Sequence, residues 1–223
     1  MKILSQIATL TKKEFLIEFR SKNTLFAMIL YVLGIALILY LSFVLKTQKV
    51  DSITWNALFW INLFFVSQLT IGKSFFGENK GRNFYYGFVC KPEAIIISKI
   101  LYGSVILLAL SLISFAVFSN IFNQEIGSVK WFLINLVIGS IALSSGQSFL
   151  AAIASKANNN STLMTILSVP VIAPLLLFLV RISNNAIDDI SSDVILQDII
   201  ALGSINIVII SVSYILFPYL WRS

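Results

Sequence analysis

The chain has 223 residues, of which 58% are hydrophobic and only 12% are charged, and it contains no histidine and one cysteine. In soluble domains about a quarter of the residues are charged, so the composition, with a mean hydropathy of +0.91, predicts a membrane protein. A chain without histidine lacks the commonest general base, metal ligand and haem ligand. The single cysteine, Cys90, can form neither an internal disulfide nor a cysteine cluster. We therefore expect no catalytic residues, no metal site and no haem ligand in this chain.

The first predicted element is an amphipathic helix over residues 1–22. Apolar and basic side chains separate onto two faces at helical spacing, although Glu14 and Glu18 interrupt the apolar face. This separation predicts an interfacial helix in the inner headgroup layer, and a solvated basic tail is the alternative. The apolar face consists of Ile3, Leu4, Ile7, Leu10, Phe15 and Phe19, and the basic face of Lys2, Lys12, Lys13 and Arg20.

Six apolar runs follow, each close to the roughly 20 residues that a helix needs to cross the hydrocarbon core. A backbone in lipid must satisfy its hydrogen bonds internally, so these runs predict an all-α protein with one transmembrane domain over residues 1–223. Trp55 and Trp60 stand where aromatic side chains usually lie at the membrane interface. The predicted spans are residues 24–45, 55–72, 100–122, 131–155, 163–180 and 199–221.

Lysine and arginine residues are unequally distributed between the two sides that these spans define. Twelve lie on one side and four on the other, and with the acidic residues the two faces carry net charges of +8 and −2. The side rich in Lys and Arg is normally cytoplasmic, so both termini are predicted to be cytoplasmic. The basic balance thus reflects membrane topology, and no nucleic-acid partner is expected. The twelve are Lys2, Lys12, Lys13, Arg20, Lys22, Lys73, Lys80, Arg82, Lys91, Lys99, Lys156 and Arg222.

Three features inside the spans concern helix packing. A stripe of small residues, one every four positions, predicts close approach of another helix along the fourth span. It consists of Ser140, Ser144, Ser148 and Ala152. Uncharged polar residues in the spans favour hydrogen bonds between helices over a polar substrate path, because ionisable groups mark such paths more strongly. They are Asn62, Gln68, Asn135, Gln147 and Asn206. Pro170 and Pro174 each remove an intrahelical hydrogen bond, which predicts either a hinge or a static bend.

Residues 73–99 form the longest predicted cytoplasmic connection between spans. Aromatic and charged side chains alternate in it, which is typical of a segment at the membrane interface or in the groove of a partner protein. The composition favours neither of these two. Residues 72–74, Gly-Lys-Ser, look like the end of a P-loop, but the glycine required five residues earlier is Ser67, so no nucleotide site is predicted.

This connection and a later motif resemble the CcmB family, the haem exporter protein B of cytochrome c maturation. The similar segments are residues 76–82, FGENKGR, then Lys91-Pro92 with Ser98-Lys99, and residues 160–170, NSTLMTILSVP, with Pro174 after them. The last of these segments is the most specific. Lys91 and Ser98 stand where the family typically has a small residue and a glycine.

The resemblance implies a multi-pass, ABC-2-type permease-like subunit of the bacterial inner (cytoplasmic) membrane that is not itself an enzyme. A separate cytoplasmic ABC ATPase subunit is expected to bind ATP and to dock on residues 73–99. By position, the implied docking residues are Glu78, Lys80, Gly81, Arg82, Pro92 and Lys99. The further implied partners are a haem-handling membrane subunit, a small membrane subunit, a periplasmic haem chaperone and the lipid bilayer, and a homodimer of this chain is a compatible assembly.

The implied function is to couple ATP hydrolysis to haem export or to release of the haem-loaded periplasmic chaperone. Because the chain has no histidine, we expect partner subunits to hold the haem and this subunit to transmit movement. A permease of the same class that exports another lipid-linked or hydrophobic substrate is the alternative. Loss of c-type cytochromes on deletion distinguishes the two.

Overall fold

The computed structural model describes residues 3–20, 22–43, 50–77, 90–122, 124–157 and 161–222. Seven α-helices make up nearly all of these ranges, and no strand occurs within them. The predicted all-helical fold is therefore confirmed for this part of the chain. The helices are α1 (Ile3–Arg20), α2 (Lys22–Phe43), α3 (Ser52–Phe76), α4 (Pro92–Phe122), α5 (Val129–Lys156), α6 (Ser161–Ile187) and α7 (Ser192–Arg222).

Five helices in the described ranges are long and apolar enough to cross a membrane. The candidate crossing segments are Phe26–Phe43, Pro92–Phe122, Val129–Lys156, Ser161–Ile187 and Ser192–Leu220. The predicted span 55–72 lies within α3, which has 25 residues but carries Asn56, Asn62 and Gln68 and is less apolar than the five. The chain is thus a multi-pass membrane protein, and the sixth crossing stays a prediction.

Helix α5 lies at the centre of the bundle and packs against α3, α4, α6 and α7. Its small residues allow the close approach: Gly139 faces Trp60 and Leu179, and Ser144 faces Gly103 of α4. The stripe Ser140, Ser144, Ser148 and Ala152 is buried along its whole length.

Two hydroxyl groups of this stripe contact α4. The Ser144 hydroxyl donates to the carbonyl of Ile100 at 2.8 Å, and the Ser140 and Ser111 hydroxyls are 3.5 Å apart. The stripe therefore places polar contacts, as well as small side chains, between the two helices.

Most of the polar side chains within the spans bond to a neighbouring helix. The amide of Asn62 donates to the Ser114 hydroxyl at 3.0 Å, and that of Gln68 donates to the Ser168 hydroxyl at 2.6 Å. Gln147 differs, because it is 0% exposed and neither of its amide atoms has a hydrogen-bond partner among the described residues. The remaining bonds join Asn135 to Leu179 and Ser183, and Ser145 to Asn206. These contacts agree with the interpretation that such residues hold helix to helix.

Helix α6 continues through both of its prolines. Pro170 and Pro174 lie on its exposed face, whereas Ile172 and Leu175 between and beside them are buried. The missing backbone donors thus fall on the side away from the bundle, where they disturb helix packing least.

Trp55 and Trp60, which are predicted to lie near the membrane interface, are both buried inside the helix bundle. Trp55 stacks on Phe59, with 5.6 Å between ring centroids, and the Phe59 ring meets Phe118 of α4 at 5.7 Å. The Trp60 indole N–H donates to the Ser183 hydroxyl at 2.8 Å. These aromatic side chains pack α3 against its neighbours, and aromatic pairs contribute stability beyond the area that they bury.

Candidate functional site

Helix α1 packs against the first half of α4 and turns two glutamates towards the bundle. Its buried residues are Leu10, Glu14 and Glu18, whereas Leu4 and Phe19, which were assigned to the apolar face, are 78% and 63% exposed. Apolar side chains that are exposed on α1 are compatible with a face that lies in the headgroup layer, so the interfacial position stays a prediction. The two glutamates turn inward because each finds a lysine there.

Two buried carboxylates and three lysines from three helices form an ionic cluster at this contact, in which Lys99 is buried and Lys13 and Lys73 are more exposed. The exposed fractions of Glu14, Glu18 and Lys99 are only 7%, 6% and 3%. The Lys99 ammonium lies 3.5 Å from a Glu14 carboxylate oxygen, which is also 2.8 Å from the Lys13 ammonium. Glu18 lies 3.7 Å from the ammonium of Lys73 at the end of α3. Charges removed from water require such partners, so the cluster fixes how the three helices meet.

Lys99 is the most connected residue of the ionic cluster. Its ammonium donates to the carbonyl and hydroxyl of Ser74, at 2.5 Å and 3.0 Å, and lies 4.6 Å from the centre of the Phe75 ring. One turn further along α4, Tyr102 interacts with Glu18 and packs edge-on against Phe15 at 5.3 Å. A small cavity of about 80 Å³ adjoins these groups. Its lining residues are Glu14, Ile17, Glu18, Lys73, Ser74, Gly77 and Tyr102.

The other half of α1 reaches the residues that precede α4. The backbone N–H of Lys91 donates to the side-chain oxygen of Gln6 at 3.3 Å. Burial raises the pKa of the neighbouring Cys90 thiol, and the positive charge of Lys13 partly opposes this shift. Helix α1 therefore contacts the chain both where the α3–α4 connection begins and where it ends.

The predicted docking residues fall into three groups. Glu78, Lys80, Gly81 and Arg82 lie outside the described residues. Pro92 is the first residue of α4, the position at which proline suits a helix best. Lys99 lies inside the ionic cluster, where a partner docking on the surface would not reach it.

The connection between α3 and α4 is shorter than the predicted 73–99. Helix α3 continues through Phe76 and α4 begins at Pro92, so Lys73 and Lys99 belong to helices. Sequence reasoning missed Glu14 and Glu18 as site residues. The available signal was their position on the helical line of Ile3, Ile7 and Leu10, where a carboxylate is buried only if a cation faces it.

Among the described residues, no group of three or more His, Cys, Asp or Glu side chains could hold a metal ion. In this arrangement, charge pairs hold α1 to the end of α3 and to the first half of α4. Long apolar helices around a central α5 are typical of a multi-pass membrane protein.

The model of the family described as CcmB protein matches residues 5–218, and the chain belongs to this family. The resemblance noted in the sequence is thereby confirmed. The family consists of permease subunits of the ABC haem exporter of cytochrome c maturation, so the chain is a permease component and not an enzyme. No curated protein and no solved structure gives a significant match.

Proposed function

We propose that this subunit couples ATP hydrolysis in a separate cytoplasmic ATPase to haem export or to release of a haem-loaded periplasmic chaperone. The observation that carries the proposal is the family match over residues 5–218. The absence of histidine supports a subunit that transmits movement while partners hold the haem, which is the cargo. The partners are the ATPase, which binds ATP, a haem-handling membrane subunit, a small membrane subunit and the chaperone.

The proposed topology has six crossings of a bacterial inner membrane, with both termini in the cytoplasm. Helix α3 supplies the sixth crossing, because its 25 residues extend about 37 Å and the hydrocarbon core is about 30 Å thick. Its polar side chains bond to other helices, as Asn62 does to Ser114. Polar groups are tolerated at membrane depth where protein surrounds them.

The ATPase is proposed to dock on the connection between α3 and α4, with Glu78 and Arg82 among its contacts. Replacing both residues (E78Q/R82Q) should lower the amount of ATPase that copurifies with the tagged chain about tenfold or more, because interfacial charge pairs control dissociation. The measurement is quantitative pull-down from solubilised membranes, normalised to the amount of this chain.

The matched control is E125Q/K130Q, which removes one acid and one base from the opposite side of the predicted topology. Glu125 and Lys130 are exposed, so this variant should retain the ATPase fully. Full copurification with E78Q/R82Q would show that the docking assignment is wrong. If deletion of the chain leaves c-type cytochromes intact, the proposed cargo is wrong and another exported substrate is required.

Cys90 provides a direct test of the orientation. It precedes α4 on the proposed cytoplasmic side, so a membrane-impermeant maleimide should label it in inverted vesicles and not in spheroplasts. Burial raises the pKa of this thiol, with Lys13 opposing the shift. Because the thiolate is the reacting form, labelling should accelerate about tenfold per pH unit and still rise above pH ~8.5, the ordinary thiol pKa.

A second cysteine variant reverses the expected pattern. Asp193 is exposed in the first turn of α7, on the proposed outer side, so Asp193→Cys in a Cys90→Ser background should be labelled in spheroplasts. Equal labelling of Cys90 in spheroplasts and in inverted vesicles would contradict the orientation.

A further inference from the structure

Helix α1 is held by polar contacts to both stems of the α3–α4 connection. Glu18 pairs with Lys73 in the last turn of α3, and Glu14 pairs with Lys99 in the second turn of α4. Nearer its start, Gln6 accepts a hydrogen bond from the backbone of Lys91. The three contacts span most of the 18 residues of α1, so the helix cannot shift without disturbing at least one stem.

The two charge pairs are stronger constraints than the surrounding apolar contacts. Hydrophobic attraction has no preferred direction and allows helices to slide past one another. A buried carboxylate, by contrast, cannot exchange its lysine for water without a large penalty. Glu14 and Lys99 are both more than nine-tenths buried, so this pair keeps its partners together when either one moves. Glu18 is buried to the same extent, but the side chain of its partner Lys73 is 41% exposed, so the Glu18–Lys73 pair is the weaker constraint of the two.

We infer that α1 is a coupling element, which the pairs Glu18–Lys73 and Glu14–Lys99 oblige to move with the stems when the ATPase displaces them. This inference rests on the proposed function, because it requires an ATPase that acts at the α3–α4 connection. The positioning residues are Glu14 and Glu18, which act on the connection through the two lysines. When the α3 stem is displaced relative to the α4 stem, the Glu18–Lys73 pair draws α1 with it. This changes the surroundings of Cys90 at the start of α4, since Lys13 of α1 lies close enough to influence that thiol.

The test measures the alkylation rate of Cys90 by N-ethylmaleimide in the complex purified through a tag on this chain. The label is quantified by intact mass of this chain, which has one cysteine. Replacing ADP with ATP and Mg²⁺ should change the rate about fivefold or more in the wild type, as expected for two sites that are energetically coupled. Cys90→Ser should show no label.

Charge-reversal variants then test whether the nucleotide effect depends on the Glu18–Lys73 pair. E18K and K73E each place like charges opposite one another and should abolish the nucleotide effect, whereas E18K/K73E restores the pair and should restore the effect. The matched control is K12E, which makes the same Lys-to-Glu change as K73E but on the exposed side of α1. It should respond as the wild type does. Melting midpoints in detergent identify any variant that fails to fold, and E18Q, which keeps the side-chain size, then replaces E18K.

The outcomes separate the inference from the proposed function. If no ATPase copurifies with the wild-type chain, the proposed function fails. If the ATPase copurifies, the inference is overturned by any of three results: no nucleotide effect in the wild type, a full effect in both single reversals, or no recovery in a folded E18K/K73E protein.

Discussion

Replacing Lys99 with methionine is expected to lower the free energy of unfolding by about 3 kcal/mol, because removal of one partner leaves a buried carboxylate without its cation. Lys99 is 3% exposed, and its ammonium contacts Glu14, Ser74 and the Phe75 ring. Glu14 keeps the Lys13 contact, which limits the loss to the lower end of the range for buried pairs. The measurement is thermal or denaturant unfolding in detergent.

Two further variants establish that the loss comes from the broken pair. Lys91→Met makes the same chemical change at an exposed side chain and should melt with the wild type. The double variant E14M/K99M replaces the pair by apolar side chains and should recover most of the stability, as buried pairs often can be replaced in this way. If K99M melts with the wild type, or the double variant is the least stable, the ionic cluster does not hold the helices together.

Replacing Gly139 with alanine is expected to lower the free energy of unfolding by about 1–3 kcal/mol, the usual range for overpacking. A Cβ atom at this position would lie 2.7 Å from the Trp60 ring and 2.8 Å from the Leu179 side chain. Trp60 cannot give way easily, because its indole N–H is bonded to Ser183 and its ring packs against Phe59. The same unfolding measurement, together with the amount of folded chain in the membrane, reports the effect.

Gly203 is the matched control, because a Cβ atom there would meet nothing within 4 Å. Alanine is the better helix former, so Gly203→Ala should be at least as stable as the wild type. A Gly139→Ala protein of wild-type stability would mean that α5 does not pack against α3 and α6 as closely as described.

Much of the fold could be predicted from the sequence, because membrane crossing depends on local properties. The length and apolar character of a run decide whether a helix is soluble in lipid, and the runs beginning near Thr24, Ile100 and Ile199 became long helices. The break before Pro92 was also visible, since proline favours the first position of a helix. The stripe that includes Ser144 follows from the same short-range periodicity.

The candidate site could be predicted only in part. The unusual composition around the α3–α4 connection indicates its segment, but that composition favours the membrane interface and a partner protein equally. By its position in the sequence Lys99 belongs to the docking connection, whereas in the structure it is 3% exposed and lies in the core. Nothing local distinguishes a lysine that faces water from one that faces a glutamate of another helix.

The sequence by itself determined that this protein dissolves in lipid as helices, that it lacks histidine chemistry and that it resembles the CcmB family. Only the tertiary structure decided which face of α1 turns inward, that Trp55 is buried in the bundle, and that Glu14 and Glu18 pair with Lys99 and Lys73. The physical reason is the separation along the chain of the residues that decide each property. Burial in lipid is a property of each run alone, whereas a buried charge is stable only beside its partner, and that partner comes from a distant part of the chain.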